Sequence, residues 1–230
     1  MKKLLKNLIP NRIKLMIYRE VKSSLKASHK IQSSKIPKYP ISQEKIDNTK
    51  LLTDREELLK YLPKEGIVCE LGVDKGDFSE LILKYCKPKK LHLVDLWGSE
   101  RYSQNKKRDV EEKFKSQIDS GKVQIDIGYS TDVGKTYEDN YFDWIYIDTD
   151  HSYEGTFNEL ETYRLKVKDN GIIAGHDYVI ANWDGMIRYG VIEAVYEFCS
   201  KYNWELIYIT MELNNPSFAI RKLKKITDQD

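Results

Sequence analysis

Cysteine is scarce in this 230-residue chain, and the three present, Cys69, Cys86 and Cys199, are scattered with no CxxC spacing. That favours reduced thiols in a cytoplasmic compartment over a disulfide framework or a zinc site, and Cys69 inside an apolar run reads as a small buried thiol. Long apolar runs are missing too. In Met1-Lys2-Lys3-Leu4-Leu5-Lys6, Lys6 and then Pro10 break the run too early for a signal peptide or a membrane span. No internal repeat or low-complexity tract is present. The net charge is only +2, but this hides an asymmetry: residues 1 to 50 carry 13 Lys and Arg against 3 Asp and Glu, so the other residues are net acidic. The basic character belongs to an N-terminal arm, and the rest suits one globular domain with a full core.

The arm, 1–50, divides into a helix and a linker. Up to about Lys30, Ile13, Ile17, Val21 and Leu25 recur every four residues along one helical face, while Lys14, Arg19, Lys22 and Lys26 mostly point elsewhere. Such a basic amphipathic helix suits peripheral contact with an anionic membrane through residues 1–30, or a cap or homo-oligomer contact on the body. Nucleic acid is not expected as a partner, because no aromatic-interleaved basic motif accompanies the charge. Residues 31–50 mix Ser, Pro and Lys without periodicity and read as linker.

From residue 51 to 230 the pattern alternates. A helix is predicted from a Thr53-Asp54 cap to Tyr61. Strands are predicted at Ile67–Leu71, Leu91–Val94, Val123–Ile127, Trp144–Ile147 and Ile172–Ala174, with helices near Phe78–Tyr85, Lys107–Ile118 and Tyr153–Val167. A helix near Val191–Tyr202 precedes two late strands, Leu206–Thr210 and Phe218–Ile220, joined by Asn214-Asn215-Pro216 as an antiparallel hairpin at the sheet edge. This is an α/β, Rossmann-like plan: a seven-stranded, mostly parallel sheet with helices on both faces and ligands beyond the carboxyl ends of the strands.

The chemistry concentrates at those ends. Ile67-Val68-Cys69-Glu70-Leu71-Gly72-Val73-Asp74-Lys75-Gly76 is a strand that ends in an acid and then turns on two glycines. A second acid, Asp95, closes the next strand twenty-five residues later. Glycine permits φ > 0 and close backbone approach, and two acids at consecutive strand ends suit a nucleoside with ribose hydroxyls. Further on, Ile147-Asp148-Thr149-Asp150-His151 and Gly175-His176-Asp177-Tyr178 place Asp and His at the ends of two adjacent strands. Such a cluster can hold a divalent cation or supply a general base. The bland alternative is that Asp150 or Ser152 merely caps the following helix. His92, within a strand, and His29, in the arm, read as structural or solvated.

Glu70, Gly72, Gly76 and Asp95, followed by the closing hairpin, resemble the class I S-adenosylmethionine-dependent methyltransferases over roughly residues 51 to 225. The resemblance implies S-adenosyl-L-methionine as cofactor: Glu70 at its methionine part, the backbone at Gly72 passing close to it, Asp95 on both ribose hydroxyls and Ser130 at the adenine. Asp74 stands where many members have another glycine. The competing dinucleotide fold needs G-x-G-x-x-G, and Glu70, Asp74 and Asp77 would repel a diphosphate while tolerating a sulfonium and an ammonium.

The strand-end pair further resembles the small-molecule and sugar O-methyltransferase branch. That implies a divalent metal, magnesium or another, at Asp148, His176 and Asp177, with Asp148 also beside the cofactor. It also implies His151 as base, with Asp148 and His176 in the catalytic group. Imidazole is a poor magnesium ligand, so His176 points to manganese or iron if a metal is used. The expected reaction is methyl transfer to a hydroxyl of a small molecule or sugar, with polysaccharide or glycoconjugate biosynthesis as a setting. Metal-free N-methylation and a non-catalytic binding role are the alternatives. Trp183, Arg188 and Tyr189 are candidate acceptor contacts, and Val179 to Arg188 is a candidate lid or subunit contact.

Overall fold

The computed structural model describes residues 10–182 and 186–224. It divides into two compact units, Met1–Pro37 with Ala181–Arg188, and Lys38–Ile180 with Tyr189–Asp230. In chain order the strands are β1 Lys50–Leu52, β2 Ile67–Leu71, β3 Lys90–Asp95, β4 Val123–Ile127, β5 Phe142–Ile147, β6 Val167–Gly175, β7 Ala181–Asn182, β8 Ile187–Arg188, β9 Trp204–Thr210 and β10 Phe218–Lys222. The helices are α1 Asn11–Ser34, α2 Arg55–Tyr61, α3 Asp77–Cys86, α4 Gln104–Lys113, α5 Lys115–Asp119, α6 Ser130–Gly134, α7 Tyr153–Tyr163 and α8 Val191–Tyr202.

The larger unit is built on one sheet of order β1-β9-β10-β6-β5-β2-β3-β4. β6, β5, β2, β3 and β4 are parallel, and β10 runs antiparallel to both β6 and β9. The α/β Rossmann-like plan is therefore as expected, with one correction. The sheet has eight strands rather than seven, because Lys50–Leu52, which crosses the predicted linker boundary at residue 50 and is given no strand there, pairs in parallel with β9. The β9–β10 hairpin is thus not the edge. Three residues are too few for a period-two pattern to show, so this strand was not visible in the sequence.

β2 and β5 are nearly continuous apolar runs because both their faces are covered. Val68, Trp144 and Tyr146 pack with Leu58, Leu59, Phe78 and Ile82 on one side. Cys69, Leu71, Ile145 and Ile147 pack with Leu160, Val195 and Phe198 on the other. Each such side chain contributes about 1.5–3 kcal/mol through burial, so the two layers fix the strand order from both sides. The Cys69, Cys86 and Cys199 thiols are free and buried within these layers.

Local signals set the helix starts. Asp54 accepts from the Glu57 N–H at 2.8 Å, and the Ser152 hydroxyl accepts from the Gly155 N–H at 3.0 Å. The helix predicted as Lys107–Ile118 breaks in two at Phe114, whose ring is buried in the core. The helix predicted to reach Val167 stops at Tyr163, because Val167 is recruited into β6 beside Phe142.

In the smaller unit α1 extends to Ser34, and none of its residues is buried. β7 and β8 form an antiparallel ribbon, Ala181 opposite Arg188 and Asn182 opposite Ile187. The Arg188 N–H donates to Gln32 Oε1 and its Nε–H to Ser33 Oγ, each at 3.3 Å, which ties the ribbon to the last turns of α1.

Candidate active site

The glycine turn after β2 is built by its neighbours. Gly72 has φ +85°, and a Cβ there would stand 1.9 Å from the Asp148 carbonyl oxygen, so no side chain fits between β2 and β5 at this level. Gly76 caps α3 with φ +75°, and a Cβ there would meet the Phe114 ring at 2.7 Å. Asp74 adopts φ 51°, the left-handed turn that Asp tolerates better than most residues, and its carboxylate pairs with Lys106.

Asp95 organises this turn. Its Oδ2 accepts from the Val73 and Asp74 N–H groups at 2.9 and 3.1 Å, and its Oδ1 accepts from the Trp97 N–H at 2.9 Å. A carboxylate has about four lone-pair positions, so these three donors leave room for about one more. The resemblance implies two ribose hydroxyls on Asp95, and both fit only if a backbone bond is shared or released. Trp97, buried with its indole N–H donating to the Asp74 carbonyl at 3.0 Å, holds the turn from below. Its place in Leu96-Trp97-Gly98, past the strand, carries no periodic signal.

Glu70 is buried, and its carboxylate accepts from the Ser79 hydroxyl. Burial pushes its pKa up to about 8; the Ser79 bond works against this, while the charges of Asp148 and Asp95 add to it. Glu70, Asp95 and Asp148 thus face one another, with Arg55 as the cation acting on Glu70, while Asp74 and Asp77 are paired with Lys106 and Lys113. These carboxyl groups are acceptors suited to a ligand bearing a sulfonium and an ammonium.

Ser130, at the start of α6, donates its hydroxyl to Glu159, and its carbonyl accepts from the Tyr163 hydroxyl at 2.9 Å. Thr149 donates to the same Glu159 carboxylate at 2.6 and 2.7 Å. Glu159 is buried on α7, and burial raises its pKa to about 7 against the opposing effect of these two hydroxyls. It therefore ties the loop after β4 to the loop after β5. Sequence reading missed Glu159, since Asn158-Glu159-Leu160-Glu161 looks like an ordinary solvated turn of helix.

The structure brings Asp148, His151, His176 and Asp177 together. His151 Nε2 lies 3.0 Å from Asp177 Oδ2, and His176 Nδ1 lies 3.6 Å from Asp148 Oδ2 and 3.7 Å from Asp177 Oδ1. Asp177, at φ 55° just past β6, also accepts from the Asn215 side-chain amide. The His151 ring packs against Tyr189 with centroids 4.7 Å apart, and its carbonyl accepts from the Gly190 N–H at 2.8 Å. Burial alone would lower the His151 pKa, but the hydrogen bond and charge of Asp177, helped by Asp148 and Asp150, raise it above the ordinary value. Burial opposes ionisation of Asp177, and His151 outweighs it and holds that carboxyl below its usual range.

For a cation, Asp148, His151 and Asp177 each offer a ligand atom within 4.8 Å of the others'. This set substitutes His151 for the His176 of the sequence expectation. Two carboxylates and an imidazole fit a nitrogen-accepting divalent ion better than magnesium.

Asn215 was read only as a turn residue. Tyr189, a predicted acceptor contact, meets His151, whereas Arg188 bonds α1 as described, and Trp183 lies outside the described residues. The predicted lid, Val179 to Arg188, contains the β7–β8 ribbon. His92 is structural as expected: it is buried, with Nδ1 2.9 Å from Asp126 Oδ2.

A family model described as methyltransferase domain matches residues 69–178, which include every one of these strand-end residues. No curated protein matches the chain. Among solved structures, the Bacillus subtilis M1A22 tRNA methyltransferase TrmK is similar with a TM-score of 0.54 at 16% identity, over 75% of this chain and 67% of that one. The pyocyanin biosynthetic protein PhzM gives 0.56 at 13% identity, over 73% of this chain and 54% of that one. A methyltransferase candidate from Streptococcus mutans in complex with SAH gives 0.53 at 14% identity, over 74% of this chain and 96% of that one. The chain thus spans about half the length of some structures it matches, 46% of one from Galdieria sulphuraria, and nearly all of others. At these identities the likeness shows the fold, which is the Rossmann-like methyltransferase fold. The domain match covers 69–178, just under half of the chain, and agrees with that fold.

Proposed function

We propose that this chain is a class I S-adenosylmethionine-dependent methyltransferase and that it passes the cofactor's methyl group to a hydroxyl oxygen of a small molecule or sugar, with His151 as the base. The observation that carries the reading is the His151–Asp177 pair, 3.0 Å apart at the carboxyl edge of the sheet beside Asp148. Asp177 accepts a hydrogen bond from the Nε2–H and so leaves the Nδ1 lone pair as the basic position, the arrangement in which a carboxylate orients and strengthens an imidazole.

S-adenosylmethionine, when bound, supplies a methyl group on a good leaving group. With it bound, the acceptor oxygen would bond to the methyl carbon as the sulfur–carbon bond broke, and His151 Nδ1 would take up the hydroxyl proton. A protonated hydroxyl is a weak nucleophile, so this proton removal is where the protein's own chemistry lies. Alignment of the acceptor supplies the rest. Glu70 and Asp95 are the proposed cofactor contacts, Gly72 and Gly76 the close backbone approach, and Ser130 the adenine-side contact.

A divalent cation at Asp148 and Asp177, with His151 or His176, is a second reading supported by the convergence of their ligand atoms. It would lower the pKa of the acceptor hydroxyl. The two readings compete for His151, whose Nε2 is already bonded to Asp177.

Titration calorimetry with S-adenosylmethionine, followed by transfer of labelled methyl to a panel of catechols, sugars and amines, tests both. Binding that survives in His151→Ala while transfer to hydroxyls is lost supports the base. No binding at millimolar ligand overturns the methyltransferase reading, and transfer to amines alone replaces the hydroxyl acceptor. Full activity after chelation removes the metal.

A further inference from the structure

α1 is an amphipathic helix with no buried residue, one side mostly apolar and the other mostly basic. At about 100° per residue, Ile13, Ile17, Val21 and Leu25 step round one side by about 40° each, with Ile31 in line with Ile13 and with Met16 and Tyr18 at the margins; Lys14 and Glu20 are the charged residues within this arc. On the opposite side Arg12, Arg19, Lys22, Lys26 and Lys30 fall within an arc of about 80°. The apolar side chains face water: Ile17 is 48% exposed, Val21 52%, Tyr18 60% and Ile31 59%. The β7–β8 ribbon bonded to Gln32 and Ser33 adds Met186 and Ile187, 61% and 55% exposed.

We propose that α1 with this ribbon is a docking surface for an anionic lipid bilayer, lying in the plane of the interface. Three observations select this occupant. The helix is not long and apolar enough to cross a membrane, so it lies on one or stays off it. Its charge is one-sided: Glu20 is the single acid in Asn11–Ser34, against six Lys and Arg, while the following body is net acidic. That pattern complements anionic headgroups, with lysine stems reaching from the sides of the helix to the phosphates.

The third observation is the shape of the apolar face. A strict four-residue step drifts round the helix and yields a broad face, whereas a coiled-coil partner needs a narrow seam repeating every 3.5 residues. A broad face suits a plane. This inference is independent of the methyl-transfer reading, since it uses none of the strand-end residues.

Co-flotation of the full chain with vesicles tests it. Flotation is expected with phosphatidylcholine vesicles containing phosphatidylglycerol and not with phosphatidylcholine alone, and added salt should weaken it. Lys22→Gln with Lys26→Gln should weaken partition about thirtyfold. Val21→Glu should abolish flotation while leaving the thermal unfolding of the body unchanged. Absence of flotation with anionic vesicles overturns the proposal, as does flotation indifferent to these substitutions. Loss of a lipid-free dimer in Val21→Glu, seen by sedimentation, would also overturn it and assign the apolar face to a second copy of the chain.

Discussion

Gly72 and the carbonyl of Asp148 are in such close approach that a Cβ on Gly72 would stand 1.9 Å from that oxygen. The Asp148 N–H meanwhile donates to the Leu71 carbonyl at 2.7 Å, so the two strand ends are locked together where the glycine turn begins. Gly72→Ala must therefore part β2 from β5 as well as strain a φ of +85°. We expect a loss of roughly 3 kcal/mol, about 10 °C in Tm, with loss of S-adenosylmethionine binding. Gly121→Ala is the control, since Gly121 also has positive φ (+73°) but a Cβ there meets nothing within 4 Å. Equal losses in the two variants would show that backbone strain, not the β2–β5 contact, is what Gly72 relieves.

Asp177 positions His151, and its effect is separable from folding. Asp177→Asn keeps the shape and a hydrogen-bonding group but removes the charge that raises the His151 pKa. The His151 titration, followed by NMR, should move down. The acidic limb of the pH–rate profile, expected in the unaltered protein above the ordinary histidine value, should move down with it. Methyl transfer should fall on the order of 100-fold or more, through kcat rather than KM. An unmoved titration with an unchanged rate would remove Asp177 from this role.

Glu159 makes stability fall with pH. Its folded pKa, about 7, lies above the unfolded value near 4.5, so the folded state holds the extra proton between those limits. Its stabilising proton is therefore lost as pH rises from about 4.5 to 7, at a cost on the order of 3 kcal/mol. Glu159→Gln removes this dependence while its amide still bonds Ser130 and Thr149. Between pH 5 and about 7.5 the Tm of the unaltered protein should fall more steeply than that of the variant. Parallel curves would mean that Glu159 ionises normally.

What the sequence disclosed and what it hid follow one physical line. Glu70, Gly72, Gly76 and Asp95 were legible because strand, turn and acid are consecutive in the chain. Asp148, His151, His176 and Asp177 were legible because two strand ends repeat one device. Glu159, Trp97 and Asn215 were not, because each has a side-chain partner 23 or more residues away, Ser130 for Glu159, the Asp74 carbonyl for Trp97 and Asp177 for Asn215. Among these, only the sheet order decides who meets whom. The strand Lys50–Leu52 was hidden for the same reason, since its register is dictated by β9.

Glu70 should report cofactor charge directly. Its pKa of about 8 in the free protein means that near neutral pH the carboxyl is largely protonated, held so by burial and then by Asp148 and Asp95. A bound sulfonium and ammonium favour the ionised form, so binding should expel a proton. By linkage, affinity for S-adenosylmethionine should rise with pH below about 8, by at most about tenfold per pH unit, and level off above it. Calorimetry in buffers of different ionisation enthalpy measures the proton released, and Glu70→Gln should abolish both the release and the slope. S-adenosylhomocysteine has lost the sulfonium charge but keeps the ammonium, so it should release less than S-adenosylmethionine. Equal release with both ligands would place Glu70 near the amino group alone. No release with either would mean that Glu70 stays protonated in the complex and supports the turn through Ser79, without meeting the cofactor's charge.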